Sequence, residues 1–280
     1  LRRASYAGAL PHSLESDDMG GLLAWPGAVA ASREEQRLFP PSHVRFGSPE
    51  AHAERQEVAV SVSVDPDGSS QIAVMGPDGS GLLQVTEGDS VDLAPHWVAG
   101  RPRTLLFQSA GIGRNASGEP VSLAPFSIEQ IDLETGKLTT RAESPRFDYL
   151  CPRVGPDGLL YSLRRPWSGR TAAMRTSALR DFLAAPVQGV RALWRWLRKA
   201  AARLGGEDAP GLVSKRWELV CHRPGAEPRP LARAVLAFDI TPDGAFLVSN
   251  GNAVDRIDPD GTRRRLCTAP GLTQLVALGG

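Results

Sequence analysis

Only three cysteines occur in the 280 residues, Cys151, Cys221 and Cys267, far apart and odd in number. With no C-x-x-C pair and no Cys/His cluster, a disulfide framework or a structural zinc site is not expected, and a reducing compartment fits better. That points to the cytoplasm, with the periplasm as the alternative if a signal peptide has been removed. No apolar stretch approaches the ~20 residues of a membrane-spanning helix. The 32 Lys and Arg against 31 Asp and Glu leave a formal charge of +1, so no nucleic-acid partner is expected. The five histidines show no H-x-x-x-H or H-E-x-x-H spacing, and no G-x-S-x-G elbow is present. No metal, no cofactor and no catalytic residue are therefore assigned.

Glycine and proline, by contrast, are abundant: 29 and 23 residues, well above their usual share of ~12%. They recur as x-Pro-Asp-Gly at 65–68, 76–79, 155–158, 241–244 and 258–261. Proline presets φ at the second turn position, aspartate bonds nearby backbone, and glycine takes the positive φ that closes a hairpin. Beside these turns lie β-rich runs such as VAVSVSV (58–64), TLLFQ (104–108), LLYSL (159–163) and AFLVS (245–249). The pattern reads as a long series of antiparallel hairpins.

The segments align with one another. SIEQIDLETGKLTT (127–140), AVDRIDPDGTRRRL (253–266) and the stretch 65–81 are each a strand, a polar turn ending in Gly, and a second strand. LAPHWVAGR (93–101), LCPRVGPDG (150–158) and LAFDITPDG (236–244) precede them as an opening strand and turn. Four short strands per roughly 40 residues indicate a β-propeller. An opening strand ending in P-x-W or a PDG turn, followed later by I-x-x-M-x-x-D-G-S-G, resembles the TolB-like (WD40-like) propeller repeat. Pro95, Trp97, Ile72, Met75, Asp78, Gly79 and Gly81 carry that resemblance over about 40–270. It implies an all-β propeller with blades at about 40–88, 89–143, 144–232 and 233–272. Residues 1–39 and the last eight could join the termini in a fifth blade, which would protect the edges of the ring. Five blades are expected, four or six being the alternatives.

Two blades are lengthened between their second and third strands, by 110–125 (AGIGRNASGEPVSLAP) and by 168–212. Both insertions leave the same face of the disc, where long loops on a rigid scaffold commonly bind. The larger one reads as helical. Thr176 or Ser177 suits an N-cap, Pro186 breaks the run, and the period resumes over 187–204. Val187, Val190, Trp194, Leu197, Ala201 and Leu204 form an apolar stripe, with Arg191, Arg195, Arg198, Lys199 and Arg203 opposite. Trp196 lies off the stripe. Such a basic amphipathic helix either packs on the rim or meets an anionic membrane surface. Arg114 and Asn115 in the glycine-rich loop, and Arg164, Arg165 and Trp167 at the root of the larger insertion, complete the candidate binding set. His96 beside Trp97 reads as a core or rim histidine, and Asp239 as a repeat-stabilising residue.

The resemblance implies protein–protein contact as the usual task. The expectation is thus a non-catalytic scaffold for a protein partner, with peripheral membrane association through the basic helix. Two rivals remain: a propeller enzyme of hydrolase or lyase type acting at the central channel, and a propeller module of a larger protein. The first requires charged or histidine residues converging at the channel mouth; an apolar, plugged channel would exclude it.

Overall fold

The computed structural model describes residues 2–4, 12–16, 22–26, 36–39, 44–52, 54–64, 68–101, 103–167, 170–171, 213–272 and 275. Among them every regular element is a strand, and they form five four-strand units. The first unit comprises β1 (Arg2–Ala4), β2 (His12–Ser16), β3 (Leu22–Pro26) and β4 (Gln36–Phe39). All four of its strands come from 2–39, and of the last eight residues only Leu275 is described. The second is β5 (Val44–His52), β6 (Glu57–Val64), β7 (Ser70–Met75) and β8 (Leu83–Gln84). The third contains β9 (Ser90–Trp97), β10 (Thr104–Arg114), the side strand β11 (Pro120–Leu123), β12 (Ser127–Asp132) and β13 (Lys137–Ala142). The fourth holds β14 (Phe147–Val154), β15 (Leu160–Pro166), β17 (Glu218–His222) and β18 (Arg229–Arg233); the short β16 (Arg170–Thr171) follows β15 in the chain but pairs with β11 of the third unit. The fifth is β19 (Ala237–Ile240), β20 (Phe246–Ser249), β21 (Gly251–Ile257) and β22 (Arg263–Leu272). Pairing within each unit is antiparallel; one parallel bridge, Ser70 to Val91, joins the second unit to the third.

The turns carry the chemistry that the motif demands. Gly79, Gly158, Gly244 and Gly261 all have positive φ, between 74° and 89°. Each donates its N–H to the carbonyl three residues earlier, at 2.8–3.0 Å. Aspartate completes the turn: Asp78, Asp157 and Asp260 accept from the backbone N–H two residues on. The hairpins are thus closed locally, before any packing between units.

Packing then stacks the units face to face. Alternation along β6 sends Val58 and Val60 to one side with Phe46, Ala73 and Met75. It sends Ala59 to the other, where Ile72 and Val74 meet Trp97, Leu105, Phe107 and Ile131 of the next unit. Further round, Leu106, Ile128, Tyr149, Leu160 and Val220 fill the gap between the third and fourth units. Strands buried on both faces are near-continuously apolar, as in TLLFQ; this is why the core lies between blades, leaving the inner strands to face the channel.

Candidate functional site at the channel mouth

Among the first strands of four consecutive units, β5, β14 and β19 are sheet edges and β9 is joined to β7 only by the single Ser70–Val91 bridge; β5 packs against β9 and β9 against β14, and in a propeller such inner strands line the central channel. Three break register at the same relative place: between Gly47 and Glu50, between Leu93 and His96, and between Leu150 and Arg153. At each break a non-glycine residue adopts a left-handed backbone, proline follows, and an ionisable residue comes next. These triplets are Ser48 (φ 49°)-Pro49-Glu50, Ala94 (φ 52°)-Pro95-His96 and Cys151 (φ 52°)-Pro152-Arg153. Proline suits a bulge because it has no N–H to lose from the ladder, and the bulge re-aims the following side chain. The fifth unit reaches the equivalent place through Asp239, without a register break.

The four side chains come from four blades and form two pairs, whose Glu50 and Arg153 charges act on one another. His96 Nδ1 lies 2.9 Å from Glu50 Oε1, and Arg153 Nε lies 3.4 Å from Asp239 Oδ1. Backbone pins fix the bulges: Trp97 Nε1 donates to the Glu50 carbonyl at 3.1 Å, and Cys151 N–H donates to Gln108 Oε1 at 2.8 Å. Side-chain exposures of 24% for Glu50, 17% for His96, 20% for Arg153 and 17% for Asp239 leave all four within reach of solvent. Burial alone would raise the Glu50 carboxyl pKa. The Arg153 charge, with the hydrogen bond and charge of His96, outweighs burial and holds the pKa below its ordinary value. Burial would likewise lower the Arg153 pKa, but the carboxylates of Glu50 and Asp239 reverse that effect and raise it. Because an ionised carboxylate only accepts, the His96 Nδ1 that faces Glu50 carries a proton, and in the uncharged imidazole of that tautomer Nε2 is an acceptor.

These residues lie toward the ends of the inner strands, whereas the insertions leave from the opposite face. There, the expected loop over 110–125 is instead built as a hairpin. β10 runs on through Gly111 and Gly113 to Arg114, and β11 pairs back against it. A Cβ at Gly113 would stand 2.3 Å from Ser122 Oγ, so this glycine serves close strand approach, not flexibility. β11 also pairs with β16, linking the hairpin to the root of the larger insertion.

Arg114 bonds Asp89 and the Gly118 carbonyl. Asn115 shapes the turn by accepting from the N–H groups of Ser117 and Glu119. Arg164 clamps Glu218 with two nitrogens, at 2.6 and 3.2 Å, beneath the Phe147 ring. Arg165 bonds the fully buried Asp148 at 2.7 Å and stacks on Trp217. Trp167 donates its backbone N–H to Arg146, while its buried Nε1 has no partner among the described residues. Arg191, Trp194, Arg195, Trp196, Arg198 and Lys199, with the expected helix that would carry them, lie outside the described residues.

One other pair has the spacing of a nucleophile and its base: Ser162 Oγ and His222 Nε2, at 2.8 Å. Ser162 is wholly buried on β15, and burial and the Arg164 charge push the His222 pKa down to about 4. No substrate reaches that hydroxyl, and the pair is a structural cross-strand contact.

Fold and ring together define a β-propeller protein with a polar, ionisable channel mouth. No protein-family model and no curated protein matches the chain. Among solved structures it is similar to a TolB from Agrobacterium tumefaciens, at 14% identity and a TM-score of 0.55, over 96% of this chain and 83% of that one. The TolB-like propeller fold implied by the turn motifs is therefore present. The chain is also similar to a puromycin hydrolase (16% identity, TM-score 0.54, 97% of this chain and 41% of that one). A gluconolactonase from Xanthomonas campestris matches at 16% identity and a TM-score of 0.52, over 94% of this chain and 73% of that one. These neighbours correct the expectation of a protein without enzymatic activity, because propeller enzymes share nearly the whole of this fold.

Proposed function

We propose that the chain is a β-propeller interaction module that receives an extended segment of a protein partner at the mouth ringed by Glu50, His96, Arg153 and Asp239. The observation that carries this is a pair of solvent-reached ionisable contacts, Glu50–His96 and Arg153–Asp239, drawn from four blades and coupled through the charges of Glu50 and Arg153. The turns that follow the four inner strands are four to six residues long. They leave the mouth open to a chain, whereas sites for small substrates are commonly closed over most of the ligand. The test is titration with extended decapeptides of differing charge, followed in the 13C spectrum of the five histidines. Binding should shift the His96 signal and be lost in a Glu50→Gln/Arg153→Gln double variant. Shifts at other histidines only, or none, would refute the assignment.

A second reading, catalysis at the same mouth, is favoured by the Glu50–His96 pair. A carboxylate that holds Nδ1–H leaves Nε2 as a proton acceptor, the arrangement of a general base. Hydrolysis of simple esters and lactones by the protein, abolished in His96→Gln, would support this second role.

A further inference from the structure

The ring has unfilled hydrogen-bonding valences of both kinds. Glu50 uses Oε1 on His96 and His96 uses Nδ1 on Glu50, so Glu50 Oε2 and His96 Nε2 have no partner among the described residues. Arg153 spends Nε on Asp239 and Nη1 on the Pro152 carbonyl, which leaves Nη2. Two acceptors therefore stand near one cationic donor, and the two carboxylates of Glu50 and Asp239 outnumber the single guanidinium. A complementary ligand group is positively charged, offers at least two N–H donors, and carries an acceptor close by.

Few groups on a polypeptide meet all three conditions. Lysine has an ammonium, but four methylenes separate it from the nearest carbonyl. Arginine only donates, and aspartate and glutamate only accept. An interior peptide unit offers one N–H, uncharged, pointing away from its carbonyl. The N-terminus alone combines an ammonium with a carbonyl two bonds away, and its pKa of about 7.7–8.0 keeps it largely protonated at neutral pH.

We propose that the channel mouth captures the free N-terminal amine of the partner segment. The ammonium donates to Glu50 Oε2 and His96 Nε2, and the first peptide carbonyl accepts from Arg153 Nη2. This rests on the assignment of the mouth as the partner site and specifies which end of the partner enters it. Terminal-amine capture by converging polar groups is a recurrent mode of peptide recognition.

The experiment compares three peptides of one extended, otherwise uncharged sequence: one with a free amine, one N-acetylated, and one N-acetylated with an internal lysine. Calorimetry and the His96 13C signal report binding. The free-amine peptide should bind and shift His96, acetylation should weaken binding by at least about tenfold, and the lysine should not restore it. Glu50→Gln should reproduce the loss, while Lys137→Ala on the exposed outer strand β13 should bind normally. If the acetylated peptide binds the mouth equally well, amine capture is overturned and the partner-segment assignment stands. If the lysine peptide matches the free amine, the mouth is a general cation site and terminal recognition is overturned. If no peptide moves His96, both fail. The acetylation comparison needs no variant, so an unfolded Glu50→Gln protein would not rescue the proposal.

Discussion

Acidification should weaken this fold through one histidine. His222, on β17, is packed edge-on against Tyr149 with ring centroids 4.9 Å apart, and is hydrogen-bonded to the buried Ser162. Burial first, and the Arg164 charge second, lower its pKa from 6.5 to about 4. In the unfolded chain the imidazole takes up a proton as pH falls through 6.5; in the folded chain it does not until about 4. Between those values the unfolded state binds more protons, so stability falls as pH falls. Above pH 6.5 the term is absent, and below 4 it is complete. At ~1.4 kcal/mol per pH unit the full loss is about 3 kcal/mol, a large part of the ~5–15 kcal/mol that holds most domains together. Urea unfolding at pH 7 and at pH 4, for the wild type and for His222→Gln, isolates the effect because other titrating groups cancel in the difference. The glutamine can accept the Ser162 hydroxyl but cannot charge. The variant's deficit at pH 7 should shrink, or reverse, by about 3 kcal/mol at pH 4. Equal pH dependence in the two proteins would show that His222 is not held neutral by the fold.

Asp148→Ala removes the acceptor for Arg165 Nε and for the Phe126 N–H from a fully buried position. Denaturant unfolding should show a loss of about 3–5 kcal/mol, and a loss under ~1 kcal/mol would mean the pair is solvated. Ala94→Gly relieves a left-handed φ of 52° whose cost for an L residue is ~1–2 kcal/mol. Glycine's own entropic penalty is ~0.5–1 kcal/mol. The thermal midpoint should therefore rise slightly, whereas Ala73→Gly in the regular strand β7 should lower it; a fall in both would place Ala94 in an unstrained backbone.

The turns and hairpins were legible because their causes are local. Pro-Asp-Gly determines its own φ angles and its own hydrogen bonds, so Gly79, Gly158, Gly244 and Gly261 do in the fold what their tetrapeptides dictate. Strand content followed from the same locality, since TLLFQ and AFLVS are β-formers wherever they fall. The segment 110–125 misled for a physical reason: Gly111 and Gly113 resemble loop residues, yet the close approach of Ser122 requires the absence of a side chain at Gly113. A glycine admitted by a tight strand pair and one admitted by a flexible loop look alike until the partner strand is known.

The channel mouth was hidden by the repeat itself. Aligning blades emphasises what recurs, here the proline and the turn glycines, whose duty is backbone shape. The residue between proline and the following apolar position varies from Glu50 to His96 to Arg153, and the fifth unit offers Asp239 after Phe238 with no proline, so the position carries no repeat signal. Its meaning arises only when the ring places side chains 46 and 86 residues apart within hydrogen-bonding reach. In a propeller, blade-to-blade variation at an otherwise regular inner-strand position is thus the expected signature of a composite site. A residue that only stabilised the repeat would face the same surroundings in every blade and would have no reason to change its charge.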